Sequence, residues 1–337
     1  MSIRICSILA AGIAGLLFAS PSLAADYKIV ERIKVPDGNF DYATFNAASG
    51  KVYMPRGAFT TVIDVKTNAV SQLANGASDH IALPVPGTTL LVLTQRKGVI
   101  RILDAATDRV VVDLPAGKNP NSAAYDPISK MAVVFNKNSG NATLVDPEQQ
   151  KVAGTIPVSD NTLEFPVADG AGTVFDNIET TGEIAVIDVR SRKVTGRIKL
   201  NGCEEPSGLA YVPGAKLLIS ACGNGIAKVV RADTGKEVAS VTIGHGPDAV
   251  IYDPVRKLAF IPCGSEGVLE VISLEDLKHI SVAQHVQTQK GSRTGTVDPA
   301  TGRLYLMASM PDLSVPVAAG GRVPRLAGSW EVLVVGP

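Results

Sequence analysis

The chain has 337 residues, with 32 Lys and Arg balanced by 32 Asp and Glu, so its formal net charge at pH 7 is zero. A neutral chain sets up no general field for nucleic acid or an anionic membrane, and 5% aromatic residues offer few stacking platforms, so a nucleic-acid partner is disfavoured. Hydrophobic residues at 45% and charged residues at 19% are the proportions of an ordinary globular chain.

Read from its start, the chain opens with a predicted signal peptide over residues 1–24. Arg4 precedes the apolar run Ile5 to Phe18, and Ser22-Leu23-Ala24 places small residues where a signal peptidase reads, so cleavage is expected after Ala24. The apolar run is short for a membrane span and Ser-Pro-Ser follows it. No later segment is long and apolar enough to anchor the chain. A periplasmic or secreted protein is the expectation, with residues 25–337 as its one domain.

The first strand of that domain, Tyr27 to Val35, is followed by seven copies of one pattern: strand, tight polar turn, apolar strand, strand with a polar end, valine-rich strand. The turns after the first strand begin at Phe45, Leu83, Tyr125, Val167, Tyr211, Tyr252 and Val297, 38 to 45 residues apart. A second landmark, the end of the third strand, falls at Ile63-Asp64, Leu103-Asp104, Val145-Asp146, Ile187-Asp188, Val230-Arg231 and Ile272-Ser273, 40 to 43 residues apart. A period in the forties filled by four short strands predicts an all-β, seven-bladed β-propeller with four-stranded antiparallel blades. Pro, Asp and Gly stand where the chain reverses, because they supply restricted φ, side-chain caps and positive φ.

The seventh unit ends after its third strand, Trp330 to Val335, while Tyr27 to Val35 matches the outer strand of other units. The N-terminal strand is therefore predicted to complete the last blade and remove two free sheet edges. The last unit also departs from the repeat: its loop between strands two and three runs from Ala308 to Ser329, carries Arg322 and Arg325, and reads as a lid, a partner-binding arm or a tolerated flexible insertion.

Gly117-Lys-Asn-Pro120, Gly244-His-Gly-Pro247, the Tyr-Asp-Pro turns and Ile63 to Thr67 resemble YVTN-type repeats. On these motifs the chain resembles the bacterial YncE-like seven-bladed propellers. That resemblance implies an exported protein, mostly without an assigned activity in the family, and carries single-stranded DNA binding as one possible role.

Chemistry in a propeller belongs where the loops into strand one and between strands two and three gather at the channel. The first set offers Asp41, Tyr42, Asp79, His80, Asn121, Ser122, Glu164, Glu205, Asp248 and Arg293. The second offers Arg56, Arg96, Asn136, Asn177, Cys222 and Cys263, and His245 lies between blades five and six. Any one of these reads plainly as a solvated loop residue. Together they suit a cation, a polar small molecule or a loop of a protein partner.

Cys6 lies in the signal peptide, leaving Cys203, Cys222 and Cys263. In an oxidising compartment a Cys203–Cys222 disulfide is one reading. The other is a metal sector: Cys222 and Cys263 each stand eleven residues after their anchors, and with His245, near Glu204 and Glu205, they would suit zinc or copper. His279 and His285 fall on the outer strand of blade six and read as solvent-facing. No nucleophile elbow, phosphate-cradling glycine loop or calcium loop is present. The chain thus reads first as a ligand- or protein-binding scaffold with no predicted cofactor. A metal-assisted hydrolase or lactonase-like enzyme with a divalent ion is the alternative, and single-stranded DNA binding is the second alternative.

Overall fold

The computed structural model describes residues 26–160, 162–316 and 323–337. The signal-peptide expectation and Arg322 lie outside them. Each predicted repeat is one four-stranded antiparallel sheet, and there are seven. Blade one holds Thr44–Asn46, Lys51–Pro55, Thr60–Asp64 and Val70–Leu73; blade four, Leu163–Ala168, Thr173–Ile178, Glu183–Asp188 and Lys193–Lys199; blade six, Ile251–Asp253, Leu258–Cys263, Val268–Ser273 and Ser281–Gln287. The only helix among the described residues is one 3-10 turn, Pro213–Ala215. No helix there is long and apolar enough to cross a membrane.

The two landmarks that mark the repeat are local capping devices. Asp64 Oδ1 accepts the backbone N–H of Lys66 and Thr67 at 3.0 and 3.1 Å, and Asp104, Asp146 and Asp188 cap the same turn in the next three blades. These bonds hold the exposed Asp64 carboxylate below its usual range. In the Tyr-Asp-Pro turns and the Val-Asp-Pro turn of the last unit, buried Asp126, Asp253 and Asp298 accept the N–H groups that follow. The same physics recurs, so the same letters recur.

Burial grades outward along each blade. All six residues of Leu258–Cys263 are buried, because neighbouring blades cover both faces. In the outer strand Lys193–Lys199, exposed Lys193, Thr195, Arg197 and Lys199 alternate with more covered positions, the charged edge that discourages further strand pairing. Between blades the apolar faces interlock; blades five and six share Ile219, Val229, Val250, Ile261 and Ile272. Each such side chain contributes roughly 1.5–3 kcal/mol by leaving water.

The ring closes as expected. Lys28–Lys34 pairs antiparallel with Glu331–Gly336, from Lys28 opposite Gly336 to Lys34 opposite Glu331. Tyr27 reaches further: it is 1% exposed, its ring lies 4.9 Å from that of Phe260 in blade six, and its N–H donates to Gln284 Oε1 at 3.0 Å.

Candidate functional site

Loops from six blades converge on a cavity of about 1010 Å³ at one mouth of the channel. Two smaller hollows, of about 710 and 570 Å³, are each confined to loops and strand ends of two neighbouring blades. In the large funnel, the loop into blade one brings Phe40, Asp41 and Tyr42, and the loop into blade two brings Asp79 and His80. Asn119 and Asn121 come from blade three, Glu164 from blade four, Asp248 from blade six, and Lys290 and Arg293 from blade seven.

Glu164 is the hub of one wall. Tyr42 Oη donates to its Oε2 at 2.9 Å, Asn121 Nδ2 donates to the same oxygen at 3.2 Å, and Lys137 Nζ pairs with Oε1. Lys137 also pairs with Glu179 Oε2 at 3.1 Å. Burial pushes the Glu164 carboxyl up to about 7; Lys137 opposes the shift and the charge of Asp248 adds to it. Burial likewise holds the Tyr42 phenol well above its ordinary value, with Glu164 reinforcing it. Near this hub lies Asp176, wholly buried, neither carboxyl oxygen with a hydrogen-bond partner among the described residues. Its pKa is driven well upward, first by burial and then by the charge of Glu164.

Two further pairs continue the wall. His80 Nδ1 lies 2.6 Å from Asp41 Oδ2, and its Nε2 lies 3.1 Å from Asn119 Oδ1. Arg293 Nε donates to Asp248 Oδ2 at 2.6 Å. Burial raises the Asp248 carboxyl against the pull of Arg293.

The wall at blades seven and one is cationic and aromatic. Phe40 meets Trp330 edge-on, with ring centres 5.3 Å apart. The Arg56 guanidinium lies 4.4 Å from the Trp330 ring centre, and those of Arg293 and Arg325 lie 5.6 and 5.9 Å from that of Phe40. Such stacking tolerates a desolvated guanidinium better than an apolar wall would. Gly291, at φ +91°, lets Arg325 lie here, since a Cβ at that position would stand 2.7 Å from Arg325 Nη1.

Of the residues expected from the sequence, Asp41, Tyr42, Asp79, His80, Glu164, Asp248 and Arg293 line this cavity, as do Arg96 and Asn121. Arg56 does not: it is 3% exposed behind Trp330 and donates from Nη2 to the Pro36 carbonyl at 2.5 Å. Glu205 and His245 are exposed and outside the cavity lining, His245 Nδ1 lying 2.8 Å from Glu266 Oε1. Asn136 and Asn177 are buried within their strands, because strand two runs through both; the residues that follow these strands, Lys137 and Glu179, face the funnel instead. Counting from strand ends gives Arg56, Arg96, Lys137 and Glu179 in blades one to four, a signal present in the sequence. Phe40, Lys290, Trp330 and Asp176 carried no such signal, whereas Arg325 stood in the loop that the break in the repeat had marked.

The cysteines resolve differently from the metal reading. Cys203 and Cys222 form a disulfide, tying the loop into blade five to the end of its second strand. Cys222 is thereby unavailable as a thiolate, and Cys263 is a buried thiol pushed up to about 12 by desolvation. The sector Cys222, Cys263 and His245 is therefore not assembled. Among the described residues no three His, Cys, Asp or Glu side chains gather closely enough to hold a metal ion. His279 and His285 are exposed on blade six and pair with Asp276 and Glu270 at 2.6 Å.

The long loop of blade seven is pinned at its base. Asp312 N–H donates to the Pro324 carbonyl at 2.8 Å, Leu326 N–H to that of Met310 at 2.9 Å, and Pro311 bridges to Arg325. Pro311, Val323, Pro324 and Arg325 form part of the cavity lining.

No protein-family model and no curated protein matches the sequence. Solved structures do resemble the fold. A chain in the crystal structure of the mitotic checkpoint complex superposes with a TM-score of 0.75 at 13% identity, covering 100% of this chain and 99% of that one. A chain of Kuenenia stuttgartiensis hydrazine synthase gives 0.72 at 14% identity, covering 81% of this chain and 94% of that one. At such identities the likeness is one of fold alone.

Proposed function

We propose that this chain is an exported binding module that holds a polar ligand in the funnel at the mouth of its central channel. The observation that carries this reading is the Glu164 hub. A buried carboxyl is held by a phenol, an amide and an ammonium from three other blade segments, at the edge of an open cavity of about 1010 Å³. Polar groups fixed in this way are preorganised for a polar ligand, because little side-chain freedom remains to be lost on binding. Export is supported by Arg4, the run Ile5 to Phe18 and Ser22-Leu23-Ala24, and by a disulfide of the kind that persists in oxidising compartments. The YVTN-type turns support a place among YncE-like propellers.

A thermal-shift panel of amino acids, dicarboxylates, neutral sugars and divalent cations tests the reading. At least one class should raise the unfolding midpoint of the wild type in a saturable way, and Glu164→Gln combined with His80→Ala should lose the shift. A flat response to every class would refute it.

One observation favours a second reading. A carboxyl near 7 beside Tyr42 and Lys137 is placed for proton transfer at neutral pH, which would make the funnel an enzyme site. Turnover of any ligand from the panel, with a pH dependence abolished by Glu164→Gln, would decide for it.

A further inference from the structure

Charge is unevenly matched around the funnel. On the blade three and four side Lys137 serves both Glu164 and Glu179, and on the blade two side Asp41 faces His80. The side formed by blades six and seven carries three cations, Lys290, Arg293 and Arg325, against the one carboxylate of Asp248, which Arg293 engages. Neither Lys290 nor Arg325 has a carboxylate partner among the described residues. The only hydrogen bond of the Arg325 side chain there is a long one, 3.4 Å from Nη1 to the Ser309 carbonyl.

Arg325 also stands close to Arg293, both guanidinium groups lying within 6 Å of the Phe40 ring centre. Burial and the Arg293 charge both pull Arg325 below its ordinary value, which is the response of a cation without a counter-ion. The loop that carries Lys290 and Arg293 holds further unsatisfied donors: Gln289 Nε2 and Ser292 Oγ are buried and have no hydrogen-bond partner among the described residues. Arg325, partly desolvated beside Arg293 and without a carboxylate of its own among the described residues, is held against that repulsion, and an oxyanion next to it would relieve it.

We propose that Arg325, Lys290 and Arg293 form an anion subsite of the funnel, which takes a carboxylate or phosphate group of the ligand. The inference rests on the funnel being a ligand site and narrows its ligand to an anionic or zwitterionic molecule. Arg325 supplies a planar donor pair suited to two oxygens of one group, Lys290 a mobile point charge at the mouth, and Phe40 an apolar floor. The Glu164 and Asp41 wall would then meet the ligand's hydroxyl or ammonium groups.

Isothermal titration of the purified protein with inorganic phosphate and, separately, with citrate tests the proposal. Saturable binding is expected to at least one; the stronger of the two identifies phosphate or carboxylate as the preferred group. Lys290→Glu and Arg325→Gln should each weaken it by roughly tenfold or more, the loss of one charge-assisted contact. Lys193→Glu, on the outer strand of blade four, should leave it unchanged. Lys290 is exposed, so its substitution does not put folding at risk. Binding that Lys290→Glu and Arg325→Gln leave intact would overturn the subsite. So would the absence of any anion binding while a neutral or cationic probe still raises the unfolding midpoint, an outcome under which the funnel remains a ligand site. Failure of every probe class would remove both readings.

Discussion

Replacing Glu164 with Gln should change how stability depends on pH, and the size follows from the burial of one carboxyl. Its pKa is raised from 4.5 to about 7 in the folded chain, so the folded state holds that proton more tightly than the unfolded state does. Stability from this group is fully present below pH 4.5 and is lost as pH rises through 7. The displacement corresponds to about 3 kcal/mol across the window. Gln has no proton to lose, yet its carbonyl oxygen can still accept from Tyr42 and Asn121. Lys137 keeps Glu179 as a partner. Urea unfolding of both proteins at pH 4.5, 6, 7 and 8 should therefore show the wild type losing about 3 kcal/mol relative to Glu164→Gln as pH rises. At an m-value of about 3 kcal/mol/M, that is about 1 M in relative midpoint. Parallel curves would mean that Glu164 ionises as a solvated carboxyl does, and the picture of a desolvated hub would be wrong.

Lys137→Met should destabilise the fold by about 3–5 kcal/mol above pH 7, because it strands a buried carboxylate, and by much less at pH 5, as urea midpoints at the two values would show. Replacing Cys203 and Cys222 with Ala should cost about 3 kcal/mol, the loop-closure entropy for a 19-residue separation, measured under non-reducing conditions against the wild type. Cys263 should resist a thiol reagent in the folded protein and react once in urea, since its thiol is buried and pushed up to about 12; rapid reaction in the folded protein would contradict the packing of blade six. Removing residues 26–35 takes away the outer strand of blade seven together with buried Tyr27 and Ile33. The truncated chain should lose its cooperative thermal transition or aggregate, and a native-like transition would mean that the ring does not depend on that strand.

The repeat was legible because identical local physics demands similar residues in each unit. Asp64, Asp104, Asp146 and Asp188 recur because each caps the same turn, and the inner strands are apolar because blades cover both faces. Ring closure was legible from two incomplete ends, Tyr27 to Val35 and Trp330 to Val335. The funnel was legible only in part, because its chemistry lies where the units differ. Asp41, His80, Glu164 and Asp248 could be reached by counting from the turns. Lys137 and Glu179 were displaced by a residue or two, since strand two ends at Asn136 in blade three and at Ile178 in blade four. Phe40 and Trp330 touch only because the ring closes, and their 290-residue separation leaves no local pattern. Asp176 sits inside the strand Thr173–Ile178, where nothing in the sequence marks it as a buried carboxyl near Glu164.

Trp330 is the only tryptophan in the chain and lines the funnel, so its emission reports on that site alone. A probe that raises the unfolding midpoint should also change Trp330 emission saturably, with the same concentration dependence, and both responses should weaken together in Lys290→Glu or Glu164→Gln. A probe that stabilises the protein while Trp330 emission stays constant across the titration would place the ligand elsewhere and contradict the account.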